Sequence, residues 1–209
     1  MGDLGQIIQK YCFERNRRLP AGLELLEPEE LEKLGSLYIE KLRQHNKESR
    51  YITDKMPGNF FHVGMIHLML PNAKVIYCRR EPADICLSIY KHNFNDGHMY
   101  STDLHEVGEY HYHFRQLMDH WQKILPGFMH VVQDEDMVAD QENETKKLLE
   151  FCGLPWDENC LQFHKSKRAI RTLSLTQVRQ PIYNRSVQIW KHYKNHLEPL
   201  FEALKLEQE

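Results

Sequence analysis

What this chain lacks narrows its function before any motif is read. No apolar run approaches the roughly 18 residues that cross a bilayer, and the first residues carry no signal peptide. The expectation is a cytoplasmic protein with no membrane partner. The five cysteines (Cys12, Cys78, Cys86, Cys152, Cys160) include no CxxC pair, which argues against a disulfide scaffold or a cysteine zinc site and for reduced, mostly buried thiols. Positive charge is not in excess either. With 27 Lys and Arg against 30 Asp and Glu, the net charge of −3 argues against a nucleic-acid partner. Repeats and low-complexity segments are absent. A chain of 209 residues is long enough to fold without staples as a single domain, 1–209.

What is present alternates between helical and strand patterns. Residues 3–17 and 28–46 read as helices, the second with Pro28 near its first turn and Leu31, Leu34, Leu37, Tyr38 and Leu42 at helical spacing. Arg50–Lys55 is a short strand candidate, followed by a helix over Phe60–Leu70. Ala73–Cys78 is a compact strand with β-branched residues at its centre, and Pro82 opens a helix that runs to about His92. A long helix is expected over Asp103–Ile124 and a third strand over His130–Gln133. Another helix, over Glu142–Cys152, stops at Gly153, and the last runs from Arg185 to Lys205. Three short strands alternating with helices predict an α/β fold with a parallel sheet, which binds ligands at the carboxyl ends of its strands.

The most informative stretch is Val75-Ile76-Tyr77-Cys78-Arg79-Arg80-Glu81-Pro82-Ala83-Asp84-Ile85-Cys86-Leu87-Ser88. A buried strand ends in two arginines, a proline starts a helix, and a serine lies on its second turn. An anion at the strand tip would gain a charge-assisted bond from Arg80, worth roughly 1.5–3 kcal/mol. Spacing alone leaves a second reading equally open, in which the arginines pair with Glu81 or Asp84 as a surface network. Further basic residues cluster at Lys165, Lys167, Arg168 and Arg171, which in a near-neutral chain suits a small anionic ligand.

This stretch resembles the 3′-phosphate-binding segment of sulfotransferases that use 3′-phosphoadenosine 5′-phosphosulfate (PAPS), in which Pro follows the Arg by two residues and Ser by eight. Four further segments match in order: Thr53–Phe60, Leu70–Lys74, Phe151–Trp156, and Thr176–Tyr183 with Trp190 and Tyr193. The chain is most similar to tyrosylprotein-sulfotransferase-like proteins, notably the bacterial branch in which this domain follows tetratricopeptide repeats. The resemblance implies a P-loop-NTPase-like three-layer parallel sheet with flanking helices. It implies transfer of a sulfuryl group from PAPS, leaving 3′-phosphoadenosine 5′-phosphate (PAP), to an acceptor hydroxyl on a protein tyrosine or a sugar, with no metal. Arg80, Ser88 and Ser174 would bind the donor. Lys55 would sit at the transferring sulfuryl group, where a fixed cation stabilises charge moving onto the leaving phosphate. Asp3, in Gly2-Asp3-Leu4, stands where the family carries a glutamate base, and its shorter side chain reaches about one methylene less far.

Departures accompany these matches. The family's opening strand and its Pro-Arg-Ser-Gly-Thr-Thr loop, whose backbone N–H groups bind the 5′-phosphosulfate, have no counterpart here, so the N-terminal strand and P-loop are expected to be truncated. Asp134 stands where the family often has Tyr, and Ile189 where a basic residue usually precedes the tryptophan, with Arg185 or Lys191 as the compensating candidates. An alternative is therefore a catalytically inactive, sulfotransferase-like nucleotide- or protein-binding remnant. A P-loop kinase is disfavoured, since GxxxxGK[ST] does not occur. His105, Glu109 and His113 share one helix face, but such spacing arises by chance among 13 histidines, and no metal site is expected. An incomplete sheet would expose edges, which predicts a homodimer or poor solubility.

Overall fold

A computed structural model describes residues 2–18, 20–92, 98–166, 179–183 and 187–205. The α-helices are α1 (Asp3–Phe13), α2 (Pro28–Arg43), α3 (Val63–Met69), α4 (Pro82–Lys91), α5 (Leu104–Ile124), α6 (Asp134–Ala139), α7 (Gln141–Cys152) and α8 (Glu198–Leu204). Two strands, β1 (Val75–Arg79) and β2 (Met129–Gln133), pair in parallel, with Val75 opposite Met129 and Arg79 opposite Gln133. Parallel neighbours need a crossover, and α4 and α5 supply it, so the α/β class read from the sequence holds.

Local chemistry accounts for several element ends. Pro28 occupies the first helical position of α2, and the backbone N–H of Glu27 donates to the Glu30 carboxylate at 3.1 Å in a capping box. The Asp140 carboxylate caps α7 by accepting from the Asn143 N–H at 3.2 Å. The same helix stops at Gly153, which takes a left-handed φ of 67° that a side chain would strain.

The chain groups into two compact units. The first comprises residues 1–73 and 117–128. Its core joins Leu4, Ile8, Tyr11 and Cys12 of α1 to Leu34 and Tyr38 of α2 and to Met65 and Met69 of α3. Helices α2 and α3 approach closely at Gly35, where an added Cβ would lie 2.3 Å from the Met69 carbonyl oxygen. The second unit comprises residues 74–116 and 129–209. Its core brings Ala83, Cys86 and Leu87 of α4 and Val107 of α5 against Leu197, Leu200, Phe201 and Leu204.

Three expected elements differ. Arg50–Lys55 is not a strand: residues 51–56 have no regular structure, and the Asp54 carboxylate accepts from the Tyr38 hydroxyl at 2.6 Å. Side-chain bonding here replaces the ladder that a strand requires. The helix expected over Phe60–Leu70 is a 3₁₀ stretch (Pro57–His62) leading into α3. The C-terminal helix is also divided, into a 3₁₀ stretch (Ile189–His196) and α8. Pro199 sits in the first turn of α8, because a proline in a helix interior removes a hydrogen bond and clashes with the preceding turn.

Candidate functional site

In the second unit, the parallel register builds a charged corner where β1 and β2 end. The pairing places each residue of β1 opposite the residue 54 positions later. Side chains continue that register past the sheet. Arg79 Nε donates to Gln133 Oε1 at 2.6 Å, Arg80 Nε lies 3.4 Å from Asp134 Oδ2, and the Glu81 N–H donates to Glu135 Oε1 at 2.9 Å. Glu135 also accepts from the Gln133 side-chain amide. The arginines thus meet Gln133 and Asp134, partners that the network reading did not name.

Asp84 has another role. It is wholly buried, and its two oxygens accept from the backbone N–H groups of Gln188 at 2.7 Å and Trp190 at 3.0 Å. Gln188 takes a left-handed φ of 58°, and Asp84 holds that turn against α4. Ser88, half-buried, lies on the second turn of α4, the helix that begins two residues after Arg80.

The electrostatics of the corner follow from burial. Desolvation pushes the Asp134 carboxyl above the usual carboxylate range, with Glu135 and Asp84 adding to the rise and Arg80 opposing it. Glu81 is also raised, first by burial and then by Asp84 and Glu135. For Glu135 burial acts upward, but the bonds from the Glu81 N–H and the Gln133 amide outweigh it and hold the group low. Beside the corner is a cavity of about 430 Å³ lined by Glu81, Glu135, Gln188, Trp190, Lys191 and Lys194. The lining includes Lys191, one of the two candidates for the missing basic residue. Arg185, the other, lies outside the described residues.

In the first unit, the loop carrying Lys55 is tied down on both sides. Asp54 accepts from Tyr38 on α2 and from Asn59 Nδ2 at 2.9 Å. Gly2, next to Asp3, packs so closely on Met56 that an added Cβ would meet its Cγ at 2.8 Å. Asp3 and Lys55 are thus brought to neighbouring backbone. Burial first, then the Asp54 hydrogen bond and the charges of Asp54 and Asp3, push the Tyr38 phenol well above its ordinary value. Lys55 itself is exposed.

Sequence reasoning missed Tyr38, Asp54, Asn59 and Glu135. Asp54 stood inside a quoted motif, but its partner Tyr38 is 16 residues away. Ser174 lies outside the described residues. His105 Nδ1 is 3.9 Å from Glu109, and His113 Nδ1 faces Gln116 Oε1 at 3.2 Å. Among the described residues no three His, Cys, Asp or Glu side chains stand together to hold a metal, and no helix is long and apolar enough to cross a membrane.

Among the described residues, a two-stranded parallel sheet with flanking helices and paired arginines and carboxylates at its strand tips defines an α/β protein. The sequence profile of the sulfotransferase family matches residues 10–158, and the chain belongs to that family. It is 34% identical over 198 residues, 93% of its length, to an uncharacterized protein of Aquifex aeolicus (strain VF5). The chain spans about a quarter of that relative. The solved sulfotransferase domain from the curacin biosynthetic pathway shares the fold, with a TM-score of 0.58 at 18% identity, over 96% of this chain and 79% of that one.

Proposed function

We propose that the chain serves sulfuryl transfer from PAPS to an acceptor hydroxyl on a protein or a glycan, and that its second unit recognises the 3′-phosphate of the nucleotide. The observation that carries this reading is the strand-tip corner. β1 delivers Arg80 at the carboxyl end of a parallel strand, and α4, carrying Ser88, begins two residues later. Parallel sheets bind ligands at that end. The family membership supports the same reaction class.

In this reading the Arg80 guanidinium donates to the phosphate as an ion pair, and the Ser88 hydroxyl donates a second hydrogen bond to the same anion. Arg79 is held by Gln133, which leaves the recognition to Arg80. Asp84 acts one step back, by fixing the backbone that presents Lys191 to the neighbouring cavity. In the first unit, the proposed role of Lys55 is to stabilise charge on the leaving phosphate, and that of Asp3 is to accept the acceptor's proton. The Tyr38–Asp54–Asn59 bonds give the Lys55 loop a fixed geometry, which such electrostatic stabilisation requires. Ser174 retains the donor-contacting role implied by its motif.

The test is a comparison of PAP with adenosine 5′-phosphate, which lacks the 3′-phosphate, by titration calorimetry on the unmodified chain. PAP is expected to bind at least about tenfold more tightly, the value of one charge-assisted hydrogen bond. Equal affinity for the two nucleotides would remove the 3′-phosphate from the account.

A further inference from the structure

The arginine assigned to the phosphate already holds a carboxylate. Arg80 and Asp134 are 3.4 Å apart, and this pairing is a consequence of the sheet and not of a chance surface rotamer. With Arg79 opposite Gln133, the next residues along the two chains are Arg80 and Asp134, each leaving its strand at the same level. The Arg80 side chain keeps only 22% of its surface exposed, against 45% for Asp134. The cation is the fixed partner, and the carboxylate has room to move.

We infer that Asp134 competes with the ligand's phosphate for Arg80, so that anion binding at this corner is an exchange in which the carboxylate gives way. This rests on the reading of Arg80 as the phosphate's partner. A guanidinium has five N–H donors and could touch both anions, but a dianionic phosphate beside a carboxylate meets like-charge repulsion in a partly desolvated site. The repulsion is relieved only when Asp134 swings out or takes up a proton. The groups facing Asp134 are Arg80 in the β1–α4 turn, Cys78 on β1, Asp84 on α4, and Glu135 on its own helix. Two of these four are acidic, so protonating Asp134 also lessens repulsion within the corner. Burial already favours that proton.

The consequence is an acid-dependent gain in affinity that belongs to Asp134. Titration calorimetry of PAP at pH 8 and pH 6 with wild type and Asp134→Asn measures it. The 3′-phosphate titrates near pH 6 in both proteins, so the difference between them isolates the side chain. At pH 8, Asp134→Asn is expected to bind PAP roughly tenfold more tightly than wild type, the scale of one like charge at a few ångströms in a partly exposed site. At pH 6 the gap should narrow, because burial already shifts the wild-type carboxyl toward holding a proton and a bound phosphate would add to that shift. Equal or weaker binding by Asp134→Asn at pH 8, with wild type still preferring PAP to adenosine 5′-phosphate, overturns the competition and leaves the phosphate reading standing. Saturable PAP binding by neither protein overturns both. Thermal melts of the two proteins check that the variant folds.

Discussion

Asp84 and His111 are both buried, and the chain treats them in opposite ways. Asp84 keeps its polar oxygens satisfied by two backbone N–H groups, which is how a carboxylate is accommodated away from water. His111 on α5 finds no partner for Nδ1 among the described residues and lies against the Phe114 ring at 5.7 Å. Burial first, and then the nearby Arg115 charge, lower its pKa to about 4 from the ordinary 6.5. Between those values the unfolded chain binds more protons than the folded one, so stability rises with pH. The contribution is complete above pH 6.5 and is lost as pH falls toward 4. Urea unfolding at pH 7.5 and pH 5 should show wild type losing more stability than His111→Phe, by at most about 2 kcal/mol. Equal losses would mean that His111 is already charged in the fold. The sequence showed a histidine among aromatics on this helix, but not that its ring would be enclosed, because enclosure depends on what packs there.

At the scale of elements, what was legible had a local cause. The run Val75-Ile76-Tyr77 marks β1, Pro82 opens α4, and Gly153 ends α7, each through chemistry carried within a few residues. What was not legible depends on distant partners or on competition. Residues 51–56 have strand-like composition at Tyr51-Ile52-Thr53, but Asp54 bonds to Tyr38 and the segment pairs with no described strand. The apolar spacing of the last helix was read through Pro199, which restarts the helix. Gly35 offers the sharpest test of packing between elements. Its bare Cα lets α2 meet the Met69 carbonyl, and a methyl there would force the helices apart. Gly35→Ala should therefore destabilise the fold by about 1–3 kcal/mol despite alanine's better helix propensity, read as a lower thermal midpoint. An unchanged or higher midpoint would show that α2 and α3 can separate without penalty.

For the whole molecule, the family was legible and half of the site's logic was not. Five segments in register pointed to sulfotransferases, and the profile match over residues 10–158 bears that out. Arg80 was identifiable because a strand tip, a proline and a helix are adjacent in sequence. Its partner was not, because Asp134 lies 54 residues on, and only the parallel register brings the two together. The half-buried Ser88 sits on the helix its motif predicted, whereas the exposed Lys55 lies in an irregular stretch where a strand end was expected, and the roles of both remain assignments from the motif. The central claim is that the strand-tip arginine recognises a 3′-phosphate. Titration calorimetry of PAP against wild type and Arg80→Ala tests it most directly. The account predicts saturable binding by wild type and a loss of roughly tenfold to a hundredfold in Arg80→Ala, the value of one charge-assisted contact. Undiminished affinity in Arg80→Ala would contradict it.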